Sequence, residues 1–69
     1  MKLSARNVIP GKVVSVKKGP VSSLVVIEIA PGVKLTSSVT TSAITDLKLR
    51  KGSTAYAVIK SSSVMLGVD

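Results

Sequence analysis

The chain has 69 residues, ten of them Lys or Arg and three Asp or Glu, for a net charge of +7. It contains no cysteine and no histidine, which excludes disulfides, thiolate metal centres and the commonest general base. Apolar residues make up 45% of the sequence, yet Tyr56 is its one aromatic residue. A single domain over residues 1–69 is expected, and a domain this small buries too little surface to be robust alone. With no disulfide or metal to staple it, assembly into a homo-oligomer is the remaining route to stability. The positive excess favours anionic partners: nucleic acid, anionic lipid or small oxyanions. No run approaches the roughly 18 apolar residues of a membrane span. Met1 to Arg6 has no signal-peptide core, so no membrane partner and a cytoplasmic location are expected.

Strand patterns dominate the chain order. Pro10-Gly11 reads as a turn, followed by the β-branched run Lys12 to Lys17 and a second turn signal at Lys18-Gly19-Pro20. Val21 to Ala30 is apolar on both faces. Leu24, Val26 and Glu28 point one way, and Val25, Ile27 and Ile29 the other, which predicts cover on both sides. Pro31-Gly32 is a third turn, and Val33, Leu35 and Val39 share one face of the next strand. Thr40 or Thr41 is placed to cap a short helix whose apolar stripe is Ile44 and Leu47. Lys48-Leu49-Arg50-Lys51-Gly52 is a basic connector. Ser53 to Lys60 alternates, with Ala55, Ala57 and Ile59 on one face and Tyr56 and Val58 on the other. Ser61-Ser62-Ser63 is a polar turn, and Val64 to Val68 reads as a last strand. The expected class is all-β: an OB-like five-stranded barrel with one short helix between strands 3 and 4.

Catalysis is disfavoured, and the chain is expected not to be an enzyme. Asp46 lies in the helix, Glu28 in an apolar strand and Asp69 at the last position, so no acid–base pair is spaced to cooperate. No Gly-rich phosphate loop, serine elbow or metal-ligand spacing is present. Binding is better supported. Ser4-Ala5-Arg6-Asn7 and Lys60-Ser61-Ser62-Ser63 each combine a cation, a hydroxyl and turn amides, the donor types that surround an oxyanion. Either segment alone also fits an ordinary solvated surface.

Those two segments, together with Gly11-Lys12-Val13, Lys17-Lys18-Gly19, Thr36-Ser37, Val39-Thr40, Leu47, Gly52 and Val64-Met65, resemble the Mop, or molbindin, family over essentially the whole chain. The resemblance implies an OB-like barrel assembled as a hexamer, a trimer of dimers. It implies molybdate, with tungstate as an analogue, as the ligand at subunit interfaces, no further cofactor, and a role in intracellular molybdate storage and homeostasis. Carried over by position, one site uses Ser4, the Ala5 amide, Arg6, Thr40, Lys60 and Ser61. Some relatives place a serine three residues after the threonine that matches Thr40. Here that position is Ala43, with Ser42 beside it. A second site type maps to Gly19, Val21 and Ser22, where a plain hairpin turn is an equal reading.

Molybdate is a dianion, and Arg6 plus Lys60 balance it formally, as burial of two charges requires. A cavity fitted to molybdate discriminates against the smaller sulfate by leaving donors too far from its oxygens, at roughly 1–3 kcal/mol per unsatisfied group. The rival reading is a nucleic-acid-binding OB domain, which the charge permits. Tyr56 alone builds no base-stacking platform of the kind single-strand binders use. A purely structural assembly module is the other alternative.

Overall fold

The computed structural model describes residues 3–69. The elements are β1 (Asn7–Lys17), β2 (Ser22–Ala30), β3 (Val33–Thr40), the helix α1 (Thr41–Asp46) and β4 (Thr54–Ile59), with a 3-10 turn at Ser61–Ser63. All strand pairs are antiparallel, in the order β3-β2-β1-β4. β1 serves two partners in succession. Its first half, Asn7 to Lys12, pairs with Ile59 to Thr54 of β4. Its second half, Lys12 to Lys17, pairs with Glu28 to Leu24 of β2, with a bulge between Val13 and Ser15. A bulge bends its strand and adds twist, so the sheet curls from one half into the other.

That changeover explains why Pro10-Gly11, expected as a turn, lies inside β1. Pro10 pairs with Tyr56 on the β4 side, at a level where β2 has not yet joined β1. A strand tolerates proline where one flank is open. Gly11 sits where the backbones converge: a β-carbon there would lie 3.0 Å from the Glu28 carbonyl oxygen and 3.2 Å from Ile27 Cδ1.

The core is small. Val13, Val25, Ile27 and Ile44 are its buried hydrophobic members, flanked by Val16, Ile29, Leu35, Val39, Leu49, Ala55 and Ala57. Ile44 brings α1 over one end of the curled sheet. Thr40 caps the helix, its hydroxyl accepting from the Ala43 N–H at 3.2 Å. The helix ends in a Schellman motif, with Leu49 N–H on the Ile44 carbonyl (2.9 Å) and Lys48 N–H on Thr45 (3.1 Å); Leu49 then packs on the core that holds Ile44. The left-handed residue of this motif is Lys48, at φ 53°. Glycine normally occupies that position because it has no β-carbon to clash. Lys48→Gly is therefore expected to stabilise the fold by about 0.5–1 kcal/mol, a rise in Tm of roughly 3–6 °C. An unchanged or lower Tm in a thermal melt contradicts this.

The fold departs from expectation in three further places. Among the described residues there are four strands, and Val64–Val68 is not one of them. Leu47 is 66% exposed and shares no buried stripe with Ile44, because it is the helix's last cap residue. The outer face of β2 is uncovered at Leu24, and Val33 stands exposed at the start of β3. The rest of the pattern holds: Val25 and Ile27 face inward, and Ala55, Ala57 and Ile59 alternate with exposed Tyr56 and Val58.

Candidate functional site

The two chain ends meet through the β1–β4 ladder. Its last pair is Asn7–Ile59, and the Asn7 side-chain amide donates to the Ile59 carbonyl at 3.3 Å. The ladder ends at this pair, so Arg6 and Lys60 are the next residues along the two strands, followed by Ala5 and Ser61. Ser4, Arg6, Lys60 and Ser61 are exposed and Ala5 is half-buried. Lys60 is the residue before the 3-10 turn, and Ser61 opens it. Two cations and two serine hydroxyls thus sit at one end of the sheet, with Asn7 as the clamp that sequence reasoning left unassigned. The Ser-Ala-Arg-Asn run carried the signal for it.

Thr40 does not join them within one chain. It pairs with Ser22, at the end of the sheet that α1 covers. The 11 residues of β1, a path of roughly 35 Å, separate that end from Arg6. Thr40 Oγ1 lies 3.2 Å from Ser42 Oγ. The hydroxyl that Ala43 lacks is thus presented one residue earlier, while the Ala43 N–H is taken by the Thr40 cap.

The second group, Gly19, Val21 and Ser22, borders a shallow cleft of about 200 Å³ lined by Lys17, Lys18, Gly19, Ser22, Ser23, Leu24 and Ser38. Val21 is outside the lining and 74% exposed. Gly19 is bound into the fold: its N–H donates to Ser23 Oγ at 3.4 Å and its carbonyl accepts from Thr41 Oγ1 at 2.7 Å. Ser23 Oγ and Thr41 Oγ1 are 2.8 Å apart, and Thr41 N–H reaches the Val21 carbonyl at 2.8 Å. This network ties the β1–β2 turn to the start of α1. Lys17 and Lys18 are the cations of the cleft.

A larger cavity, about 490 Å³, opens between β3 and β4. Val25, Ile27, Leu35, Val39, Leu49 and Ile59 make most of its apolar wall. β3 and β4 are the two outer strands of the sheet, so the trough runs between two unpaired edges. Immediately after the 3-10 turn, Val64 is 45% exposed and Met65, Leu66 and Val68 are 93–99% exposed. Nothing in the sequence pattern distinguished this segment from a strand packed in its own chain.

The TOBE domain model matches residues 3–66. The chain belongs to the TOBE domain family. Within that family its relatives are of the Mop type, as the sequence resemblance implied. Molybdenum-pterin-binding protein 3 of Clostridium pasteurianum is 52% identical over 66 residues, covering 96% of this TOBE chain and 97% of that protein. Among solved structures, apo MopII from Clostridium pasteurianum superposes with a TM-score of 0.90 at 43% identity, covering 97% of this chain and 100% of that one. The cytoplasmic molybdate-binding protein ModG, with molybdate bound, superposes with a TM-score of 0.94 at 42% identity. That match covers all of this chain and 49% of ModG. The OB-like fold expected from the sequence is thus the fold found. No helix among the described residues is long and apolar enough to cross a membrane.

Proposed function

We propose that this TOBE domain binds molybdate, with tungstate as its analogue, between copies of a homo-oligomer, and that it serves intracellular molybdate storage and homeostasis rather than catalysis. The observation that carries the reading is the Asn7–Ile59 pair, the last of the β1–β4 ladder, which leaves Arg6 and Lys60 as the next residue on each strand. Arg supplies a planar fork and Lys a point charge, and Ser4, Ser61 and the Ala5 amide supply neutral donors that fix the anion's orientation. The molybdate bound by ModG and the names of the Mop-type relatives support the same ligand. ModG's description as cytoplasmic supports the compartment. With nucleic acid as a rival ligand, the sheet offers only Tyr56 for base stacking.

The position of Thr40 supports a site shared between subunits. If Thr40 lines the same anion as Arg6 and Lys60, it must come from another copy, because the sheet holds the two groups at opposite ends. Two further observations favour assembly. Among the described residues, four hydrophobic ones are buried against twelve large ones exposed. The tail has the pattern to fill the trough: extended as a strand, Val64, Leu66 and Val68 fall on one face, and five residues span roughly 17 Å. A second copy's tail laid between β3 and β4 supplies the fifth strand of the barrel and pairs both open edges, an exchange of identical elements between protomers. Burying these side chains contributes roughly 1.5–3 kcal/mol each, enough to offset much of the cost of association.

Equilibrium dialysis against molybdate with excess sulfate tests the ligand. Selective uptake that sulfate does not displace is expected. Uptake that sulfate abolishes, or salt-sensitive oligonucleotide binding in its place, overturns the reading. The double substitution L66S/V68S tests the assembly. Both side chains are more than nine-tenths exposed in the single chain, so the protomer fold is expected to persist. Association weakens by about 3 kcal/mol or more, at least 100-fold in Kd by sedimentation. Unchanged association removes the tail from the interface.

A further inference from the structure

The Lys60–Ser63 turn has two roles that meet in four residues. Its first two residues are the cation and hydroxyl assigned above to the oxyanion, and its far end launches the exposed apolar tail. The backbone links the two. Ser63 N–H donates to the Lys60 carbonyl at 2.9 Å, and Val64 N–H to the Ser61 carbonyl at 3.3 Å. The direction in which Val64 leaves therefore follows from the conformation of Lys60 and Ser61. No side-chain hydrogen bond caps the turn, and all four of its residues are exposed.

Electrostatics makes this turn responsive to an anion. Arg6 and Lys60 are the next residues past the last β1–β4 pair, Asn7–Ile59, and like charges at neighbouring positions across strands weaken a ladder. A dianion between them reverses the sign. Each cation is drawn to a common centre, and Ser61 gains an acceptor. The end of β4 and the turn that follows are then held in one conformation.

We infer that the oxyanion acts as the lock of strand exchange. Occupancy at Arg6, Lys60 and Ser61 holds the turn that aims Val64–Val68 into a second copy's trough, and so slows the separation of assembled chains. The inference rests on the anion site and the exchanged tail proposed above. Leaving requires the tail to lift out and the turn to swing, and the bound anion opposes the swing. By linkage the effect is reciprocal: a seated tail tightens anion binding.

Subunit mixing reads this directly. Protein grown with heavy isotopes is mixed with light protein, and the masses of the assemblies are followed in buffers of equal ionic strength containing chloride, sulfate or molybdate. The temperature is set where the chloride sample mixes within hours, and bound molybdenum is measured on the same samples. Molybdate is expected to slow mixing at least 10-fold relative to chloride, with sulfate close to chloride. L66S/V68S is expected to mix faster and to bind molybdate several-fold more weakly. Molybdenum bound at the parent level with an unchanged mixing rate overturns the lock and leaves the anion site standing. No bound molybdenum overturns the anion site, and the lock with it. A monomer with no assemblies to mix overturns the exchanged tail, and again the lock.

Discussion

Replacement of either Arg6 or Lys60 by alanine is expected to abolish most molybdate uptake at the shared site while the protein still folds. Both side chains are exposed at the end of the β1–β4 ladder and neither is in the hydrophobic core, so truncation removes charge without leaving a cavity. The loss in binding is large because the two positive charges balance a dianion. Removing one leaves a desolvated negative charge half-compensated, and truncating one partner of such a pair costs roughly 2–5 kcal/mol. At the midpoint this is a rise in Kd of several hundred-fold. Lysine at position 6 keeps the charge but loses the planar fork, so Arg6→Lys is expected to recover only part of the affinity. Equilibrium dialysis with a thermal melt on the same preparations separates binding from folding. Normal uptake by both alanine variants would remove these residues from the site. So would a Tm loss large enough to account for the lost uptake.

Gly19→Ala is expected to produce the largest loss of stability of any single methyl added to this chain. A β-carbon at Gly19 falls well inside van der Waals contact of the Ser22 carbonyl oxygen, a backbone atom with no free rotation to escape. The turn must shift, and three hydrogen bonds are anchored there: Gly19 N–H to Ser23, Thr41 to the Gly19 carbonyl, and the Ser23–Thr41 hydroxyl pair. Ser23 is 2% exposed, so its hydroxyl has no water to replace a lost partner, and an unsatisfied buried group alone costs about 1–3 kcal/mol. With the steric term added, a loss of about 3 kcal/mol is expected, or a fall in Tm exceeding 10 °C. Val21→Ala, at an exposed position in the same turn, serves as the control and is expected to be near neutral. Equal melts for the two variants would show that the turn is not a structural latch.

The Gly19 network also weighs on the reading of the second anion site. The sequence left hairpin turn and anion cradle as equal readings at Gly19, Val21 and Ser22. Gly19's N–H and carbonyl are both used internally, and Val21 is 74% exposed and outside the cleft lining. The cations of that cleft, Lys17 and Lys18, were visible in sequence only as the flank of a turn, because linear spacing does not reveal which residues face a shared depression.

Much of this protein was legible before its fold was known. Alternation at period two in Val25-Val26-Ile27 and in Ala55-Tyr56-Ala57-Val58-Ile59 identifies strands and their inner faces, because side chains of a strand must point alternately up and down. A threonine cap at Thr40 or Thr41 followed from local hydrogen-bond chemistry, and the structure puts it at Thr40. The Ser-Ala-Arg-Asn and Lys-Ser segments stood out because cation, hydroxyl and amide are what an oxyanion needs. Pairing lay beyond that horizon. Pro10-Gly11 carries turn residues, yet it lies in a strand because β1 has one open flank there, which depends on where β2 begins to pair. Val64–Val68 has strand composition, yet among the described residues it pairs with no strand, because the Ser61–Ser63 turn does not return it between β3 and β4. Composition and local pattern thus determined the strands, the cap and the donor types, since each depends on near neighbours in the chain. Tertiary structure decided which distant residues meet, pairing Asn7 with Ile59 beside Arg6 and Lys60 and Thr40 with Ser22 at the other end of the sheet, because strand register is set by contacts across the sheet that no local window contains.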